Sequence, residues 1–209
     1  MGEGSAVQLC DLVVFAKAPV AGQVKTRLAA AVGAEAALQF YQDTLQAVTA
    51  RLRDAALWHI EIAVTPDGTA SDDLLWPRGI PRRPQGDGDI GARMARVLLG
   101  ARLDRPIVIV GSDIPALQPH HVERACQELR RHDLVFGPAR DGGFWLLGAR
   151  RPLPPGLFHG VRWSTEYALV DVLLRSRGLT SMLVDTLEDV DDEAGYRRHL
   201  AERDPTRTI

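Results

Sequence analysis

The sequence lacks most of the features that make a function class obvious. Only two cysteines occur in 209 residues. Cys10 and Cys126 lie far apart and are flanked by core-type residues, so they are expected to be separate buried thiols, not a disulfide framework or a metal site. Six histidines are scattered without ligand spacing. There is no Gly-x-Ser-x-Gly elbow, and neither cysteine has a partner motif, so nucleophilic hydrolase chemistry has no support. No apolar run approaches the roughly 20 residues of a membrane span. The first residues lack the basic start and long apolar stretch of a signal peptide. Net charge is only -2. General attraction to nucleic acid or a membrane surface is therefore not expected, and any anion site must be local. These absences together predict a cytoplasmic protein with neither nucleic acid nor membrane as partner.

What is present is an ordinary globular composition, with 45% hydrophobic and 25% charged residues. The length suits a single domain over 1–209. Apolar runs alternate with helical patterns. The strand candidates are Leu9–Phe15, His59–Thr65, Pro106–Gly111, Leu134–Phe136, Phe144–Gly148 and Ser181–Val184. Ile107 to Val110 is continuous and β-branched, as expected of a central strand buried on both faces. Helices are predicted after Gly33, over Ile90–Leu103, from Pro119, where proline suits a first turn, and from about Ser164 until Gly178. No internal repeat is visible. This order predicts an α/β fold with a mostly parallel sheet covered on both sides. Two long loops stand out, Pro66–Asp89 and Arg150–Gly160.

The first strand runs into Ala16-Lys17-Ala18-Pro19-Val20-Ala21-Gly22-Gln23-Val24-Lys25-Thr26-Arg27-Leu28. A buried strand feeding a basic, glycine-bearing loop and then a helix is a common way to hold phosphate, with backbone N–H groups and cations meeting the anion. The Walker pattern fails, because no Gly-Lys-Ser/Thr follows a spaced glycine, and Gly-x-Gly-x-x-Gly is absent from this turn. Two readings of the loop stay open: a phosphate cradle, or a solvated basic loop.

Other groups sit where strands end. Gly111-Ser112-Asp113 follows the central strand directly, and ligands in open α/β sheets bind beyond the carboxyl ends of strands. A carboxylate there is placed to bind a divalent cation on diphosphate oxygens. The alternative is that Asp113 caps the next turn. Asp89 is either the N-cap of the helix at Ile90 or a ligand contact, and Arg93 one turn later can reach back toward an anion. Asp141-Gly142-Gly143 is a tight-turn signal, yet the charged Arg140 and Asp141 suit a strand end facing a cleft. Trp163 either staples a helix capped by Ser164 or walls a pocket. The acidic run Glu188–Glu193 caps a terminal helix, or its Asp191 completes a metal site.

Taken in order, these segments resemble a bacterial glycosyltransferase-like family of the GT-A, nucleotide-diphospho-sugar transferase superfamily, some members of which are named arsenosugar-biosynthesis glycosyltransferases. The matching residues are Phe15-Ala16-Lys17-Ala18-Pro19, Gly22 and Lys25-Thr26-Arg27-Leu28; Gly88-Asp89-Ile90-Gly91 with Arg93-Met94; and Gly111-Ser112-Asp113 with Pro115-Ala116-Leu117. They continue with Gly137-Pro138-Ala139, Asp141-Gly142-Gly143-Phe144, Trp163-Ser164-Thr165-Glu166 and Asp189-Val190-Asp191. The resemblance implies a single-domain, three-layer α/β/α sandwich of GT-A type. It implies a nucleotide site at Lys17, Ala18, Gly22, Lys25 and Arg27, joined by Asp89, Arg93, Gly111, Ser112, Gly142, Gly143 and Trp163. It implies Mg²⁺ or Mn²⁺ on Asp113, with Asp141 or Asp191 supplying what is missing, because Gly111 stands where the Asp-x-Asp motif of glycosyltransferases has its first acid. Gln118 is a poor helix cap where relatives have Ser or Thr.

The expected activity is metal-assisted transfer from a nucleotide-activated donor, first of all a sugar from a nucleotide-sugar to a small-molecule acceptor, with Asp141 deprotonating the acceptor hydroxyl. Two rivals remain. One is a nucleotidyltransferase joining a nucleoside triphosphate to a phosphorylated small molecule. The other is a non-catalytic nucleotide-binding domain.

Overall fold

Alternation along the strands decides how the layers form. In β1 (Cys10–Lys17), Leu12 and Val14 face one side of the sheet and Val13 the other, and all three are fully buried. The same split recurs in β4 (Ile107–Gly111), where Val108 and Val110 join the first side and Ile107 and Ile109 the second. A strand apolar on both faces needs cover on both. The first face is covered by α2 (Ala34–Asp54) and α4 (Pro119–Glu128), through Leu45, Val48, Leu52, Val122 and Ala125. The second is covered by α3 (Ile90–Leu99) and α5 (Ala168–Arg175), through Met94, Val97, Leu98, Ala168 and Val172.

The computed structural model describes residues 10–55, 57–102, 104–151, 153 and 156–203. Among these, the remaining strands are β2 (Trp58–Thr65), β3 (Arg82–Pro84), β5 (Leu134–Pro138), β6 (Phe144–Ala149) and β7 (Ser181–Leu183), and the remaining helices are α1 (Thr26–Val32) and α6 (Glu193–Arg203). The sheet order is β3-β2-β1-β4-β6-β5-β7. β6 alone runs antiparallel, pairing β4 on one side and β5 on the other. The result is the expected mostly parallel α/β/α sandwich. No helix of the described residues is long and apolar enough to cross a membrane.

Several expectations need correction. Pro66–Asp89 is not a bare loop: it holds a short 3-10 turn, Asp67–Ser71, and the edge strand β3. Arg82-Arg83-Pro84 carries no apolar pattern, which an edge strand can do without; proline, lacking an N–H, is tolerated there. α3 stops at Leu99, with Gly100 as its C-cap; Leu103, like Leu9 before β1, lies outside the described residues. The helix expected from Ser164 starts only at Ala168. Ser164 has φ 59, a left-handed conformation incompatible with the extended backbone of an N-cap, and Thr165 instead closes a turn by donating to Arg162 O at 2.7 Å. Gln118 caps α4 better than its type suggests. Its backbone O accepts from His121 N at 3.1 Å, and His121 Nδ1 accepts from Gln118 N at 3.0 Å.

The cysteines are also not separate thiols. Cys10 and Cys126 form a disulfide with Cα atoms 6.6 Å apart, joining β1 to α4. Their 116-residue separation conceals that strand start and helix stand opposite each other in adjacent layers. Thiol titration of the unfolded, unreduced protein should find no free thiol, and reduction should release both cysteines. Reduction should lower stability by about 2–4 kcal/mol. Two reactive thiols before reduction would show that the bridge does not form.

Candidate functional site

β1 and β4 are parallel neighbours, with Phe15 opposite Gly111. Their carboxyl ends therefore open side by side, and the loop after β1 runs against the residues after β4. Tyr41 of α2 fastens the two. Its hydroxyl accepts from Lys17 N at 3.0 Å, donates to Lys17 O at 2.8 Å, and lies 3.3 Å from Ser112 Oγ. Burial pushes the Tyr41 phenol up to about 12, so it stays a neutral donor. Gln85 does comparable work on the other side. Fully enclosed, it donates from Nε2 to Ala63 O at 2.8 Å and Ala16 O at 3.2 Å, tying the ends of β1 and β2 together.

The loop delivers Lys25 to the centre of this edge. Lys25 precedes α1 in a left-handed conformation (φ 48, ψ 43), which is rare for a residue with a Cβ. Its side chain is only 3% exposed. The ammonium donates to Asp113 Oδ2 and to Asp191 Oδ1, both at 2.6 Å. Arg27 binds the other oxygen of Asp191 at 2.7 Å while remaining largely exposed. Burial opposes the charge on Lys25, but Asp113 and Asp191 outweigh it and raise its pKa above the ordinary lysine value. Burial likewise opposes ionisation of Asp191, and Lys25 and Arg27 more than reverse that, holding it below the usual carboxylate range.

Asp191 comes from a segment far along the chain. Leu187 bridges to Ala139 beside β5, and Val190 N donates to Asp113 O at 3.4 Å. Val190 is buried, and the acids on either side of it, Asp189 and Asp191, both face Asp113. One oxygen from each of Asp113, Asp189 and Asp191 lies within 4.8 Å of the others. Burial, then the charges of Asp191, Asp113 and Asp141, push Asp189 up to about 6. An all-carboxylate set suits a hard divalent cation such as Mg²⁺ or Mn²⁺, and Lys25 already holds positive charge between two of its members.

Beside this cluster, on the second face of the sheet, is a cavity of about 190 Å³. Phe15, Phe144 and Trp163 supply its aromatic walls, and Gly111, Gly143 and Asp141 border it. Asp141 is the one charged residue among the described residues that line it. Trp163 packs over Gly91, where any Cβ would run into the indole ring and Phe158. The buried Trp163 Nε1 has no hydrogen-bond acceptor among the described residues. The Asp141 turn is held firmly. Asp141 Oδ1 accepts from Gly143 N at 2.9 Å, and Gly142 O accepts from Leu169 N at 3.1 Å.

Of the residues expected in the site, Lys25, Arg27, Asp113 and Asp191 meet directly. Gly111, Ser112, Asp141, Gly143 and Trp163 surround them or line the cavity, and Gly142 latches the turn. Lys17, exposed, is the last residue of β1, and Ala18 and Gly22 belong to the loop that follows it. Asp113 is not the cap of its turn; its carboxylate goes to Lys25. Asp89 caps α3, accepting from Ala92 N at 2.8 Å, and Arg93 donates to Gly88 O at 2.8 Å. Both are thereby engaged in starting that helix. Asp189, Tyr41 and Gln85 were not singled out from the sequence. The Asp-Val-Asp alternation was the available signal for Asp189; Tyr41 reads as core, and nothing marks Gln85 before the fold is known.

Residues 44–165, more than half of the chain, match the profile of a family described as uncharacterized protein conserved in bacteria (DUF2064). The chain belongs to this family. No curated protein matches it. Among solved structures, it resembles a protein of Desulfovibrio desulfuricans G20 provisionally assigned as a nucleotide-diphospho-sugar transferase. That pair has TM-score 0.85 and 25% identity, over 95% of this chain and 89% of the other. A 4-diphosphocytidyl-2C-methyl-D-erythritol synthase of Anaerococcus prevotii DSM 20548 aligns with TM-score 0.61 at 8% identity, over 94% and 99% of the two chains. Rv0371c of Mycobacterium tuberculosis H37Rv, in complex with manganese, aligns with TM-score 0.50 at 17% identity, over 91% and 97%. The last two share the fold alone. The architecture is that of the nucleotide-diphospho-sugar transferases, as the sequence resemblance implied.

The Gly142 latch is testable by stability. Gly142 has φ 87, and a Cβ there would collide with the backbone of Glu166. Gly142→Ala should destabilise the fold by at least about 2 kcal/mol, from left-handed backbone strain and overpacking together. Gly22 has φ 73 but open space around it. Gly22→Ala should show the smaller loss, and equal losses in urea melts would refute the steric account.

Proposed function

We propose that this protein is a divalent-cation-assisted transferase acting on a nucleotide-activated donor, and that it moves a sugar to a small acceptor hydroxyl. The observation that carries the reading is the meeting of Asp113, Asp189 and Asp191 with Lys25 and Arg27 at the carboxyl edge of β1 and β4. The names of the similar structures, one provisionally assigned as a nucleotide-diphospho-sugar transferase and one a 4-diphosphocytidyl-2C-methyl-D-erythritol synthase, support a nucleotide donor. The manganese complex of a third supports a cation on this fold.

The three aspartates would hold the cation, which when bound neutralises negative charge on the departing diphosphate. The chain's own cations then divide the remaining work. Lys25, Arg27 and the exposed Lys17 stand where donor phosphates would lie, and charge-assisted hydrogen bonds to them orient the donor. Tyr41 and Gln85 keep the loop in place. The cavity receives the transferred group or the acceptor, with Phe15, Phe144 and Trp163 offering flat apolar faces to a sugar ring. Asp141, at the mouth between cavity and cluster, takes the proton from the attacking hydroxyl. The absence of Lys, Arg or His from the described lining of the cavity favours an uncharged acceptor over a phosphorylated one. That supports sugar transfer ahead of nucleotidyl transfer to a phosphate.

A thermal-shift screen of nucleotides and nucleotide-sugars, with and without Mn²⁺, tests the donor, since binding raises stability by RT ln(1 + [L]/Kd). A nucleotide diphosphate ligand should stabilise the protein, and more so with Mn²⁺. Asp113→Asn keeps the shape but removes the charge, and should abolish the Mn²⁺-dependent part of the shift while the fold persists. A retained Mn²⁺ effect would move the cation elsewhere. Diphosphate released from a nucleoside triphosphate would establish nucleotidyl transfer instead, and binding without any turnover a non-catalytic domain.

Asp141→Ala should lower kcat by about 10²–10⁴-fold, because a general base acts in the transition state. Donor Kd should change little. Equal losses in both quantities would make Asp141 a donor or cation ligand, and no loss in either would leave it an ordinary turn residue.

A further inference from the structure

Two carboxylates that a divalent cation needs, those of Asp113 and Asp191, are already bridged by an ammonium 2.6 Å from an oxygen of each. The lysine that does this is enclosed, its side chain 3% exposed. It is aimed inward by a backbone conformation that L-residues seldom adopt. Strained backbone of this kind persists only where surrounding structure over-determines it. Arg27, by contrast, approaches Asp191 from the solvent side, on the opposite oxygen, and is 69% exposed. The two cations therefore differ in position. Arg27 flanks the cluster, whereas Lys25 occupies the space between its members.

We propose that Lys25 is the resident cation of the free protein, a competitor of the divalent ion, and that the ion enters only as the Lys25 ammonium leaves. The proposal rests on the reading of the aspartate cluster as a cation site. A divalent ion binding Asp113 and Asp191 would approach two carboxylates that Lys25 Nζ already contacts, and the second oxygen of Asp191 is taken by Arg27. Two positive centres sharing those carboxylates would repel one another at short range. The four-carbon stem gives the ammonium somewhere to go. Once withdrawn, it stays between Lys17 at the end of β1 and Arg27 in the first turn of α1, where a donor phosphate would compensate its charge. Asp113 and Asp191 thus keep a counter-charge between them in the absence of both substrate and ion. Productive cation binding is coupled to arrival of the nucleotide. Lys25 acts here as a positioning and gating residue, in addition to any contact it makes with phosphate.

The test measures Mn²⁺ binding to the free protein by electron paramagnetic resonance, with no nucleotide present. Wild type is compared with Lys25→Met, close in length but uncharged, with Lys25→Gln, and with Arg27→Met. Both Lys25 variants should bind Mn²⁺ at least about tenfold more tightly than wild type, the size expected from removing one nearby positive charge. Arg27→Met should gain clearly less. Equal or weaker binding in folded Lys25 variants would overturn the proposal while leaving the cation site itself intact. So would an equal gain in Arg27→Met, which would indicate a general charge effect. Absence of Mn²⁺ binding in every protein, wild type included, would remove the cation site and this proposal together. Crystals of the wild type soaked in Mn²⁺ give a second readout that needs no variant. The ion should lie between Asp113 and Asp191 with Lys25 Nζ withdrawn from both, and an ion bound with the ammonium still in place would overturn the competition.

Discussion

The arrangement of the whole carboxyl edge depends on one enclosed ammonium between two carboxylates. Lys25 comes from the loop after β1, Asp113 from the end of β4 and Asp191 from the segment after β7. No two of these are close in sequence. Taking an ammonium out of water is costly, and partners of opposite charge at hydrogen-bond distance offset that cost only when the geometry is good. Here two contacts of 2.6 Å supply it. Conversely, Asp113, Asp189 and Asp191 crowded within 4.8 Å would repel one another without a cation among them. Burial first, and then the charges of Asp191, Asp113 and Asp141, push Asp189 up to about 6, so part of that repulsion persists beside Lys25. Loop, strand end and C-terminal segment are therefore held together by mutual electrostatic need, and not by apolar burial alone.

The sheet separates this charged cluster from the cavity next to it. Residues of β1 and β4 alternate between faces, so Phe15 and Ile109 project to the side of α3 and α5, where the cavity lies. The loop after β1 and the residues after β4 meet instead at the strand ends. Chemistry of two kinds can then sit within reach without mixing: a charged edge suited to phosphates and a cation, and an aromatic hollow suited to a ring. Asp141 stands between them because the β5–β6 turn ends at the same edge, and the bond from Leu169 N to Gly142 O keeps it there. In the proposed reaction this division is what lets donor and acceptor be recognised by unlike groups while their reacting atoms approach.

The layered fold was legible because its signals are local. The continuous β-branched run at Ile107–Val110, the glycine-bearing loop after the first strand and the proline opening α4 each report on their own neighbourhood. Lys25, Arg27, Asp113 and Asp191 were legible as candidates through the family pattern. What could not be read was pairing across the chain. That Cys10 meets Cys126, that Lys25 reaches Asp191, and that Tyr41 holds both Lys17 and Ser112 follow only from strand order and helix placement. β3 stayed hidden because an edge strand of Arg-Arg-Pro needs no apolar alternation. Ser164 misled because its residue type favours a helix cap while its actual backbone is left-handed. Gln85 is a buried amide whose value lies entirely in two carbonyls from other strands.

The glycine at position 111 shows how the site manages with one acid fewer than the Asp-x-Asp pattern. A Cβ at Gly111 would stand 3.0 Å from Ile114 Cδ1 and 3.4 Å from Asp113 Oδ1. The tight neighbour is Ile114, which would have to give way to any side chain there. Gly111 also borders the cavity. With glycine the edge stays open and Asp113 keeps its position. The missing negative charge then has to come from outside the strand. Asp189 and Asp191 supply it from the C-terminal segment, with the buried Val190 between them turning both acids toward Asp113. The departure from the familiar motif is thus a relocation of charge. Its physical consequence is that the three aspartates of the proposed cation site meet only when the segment after β7 has docked against the ends of β1 and β4.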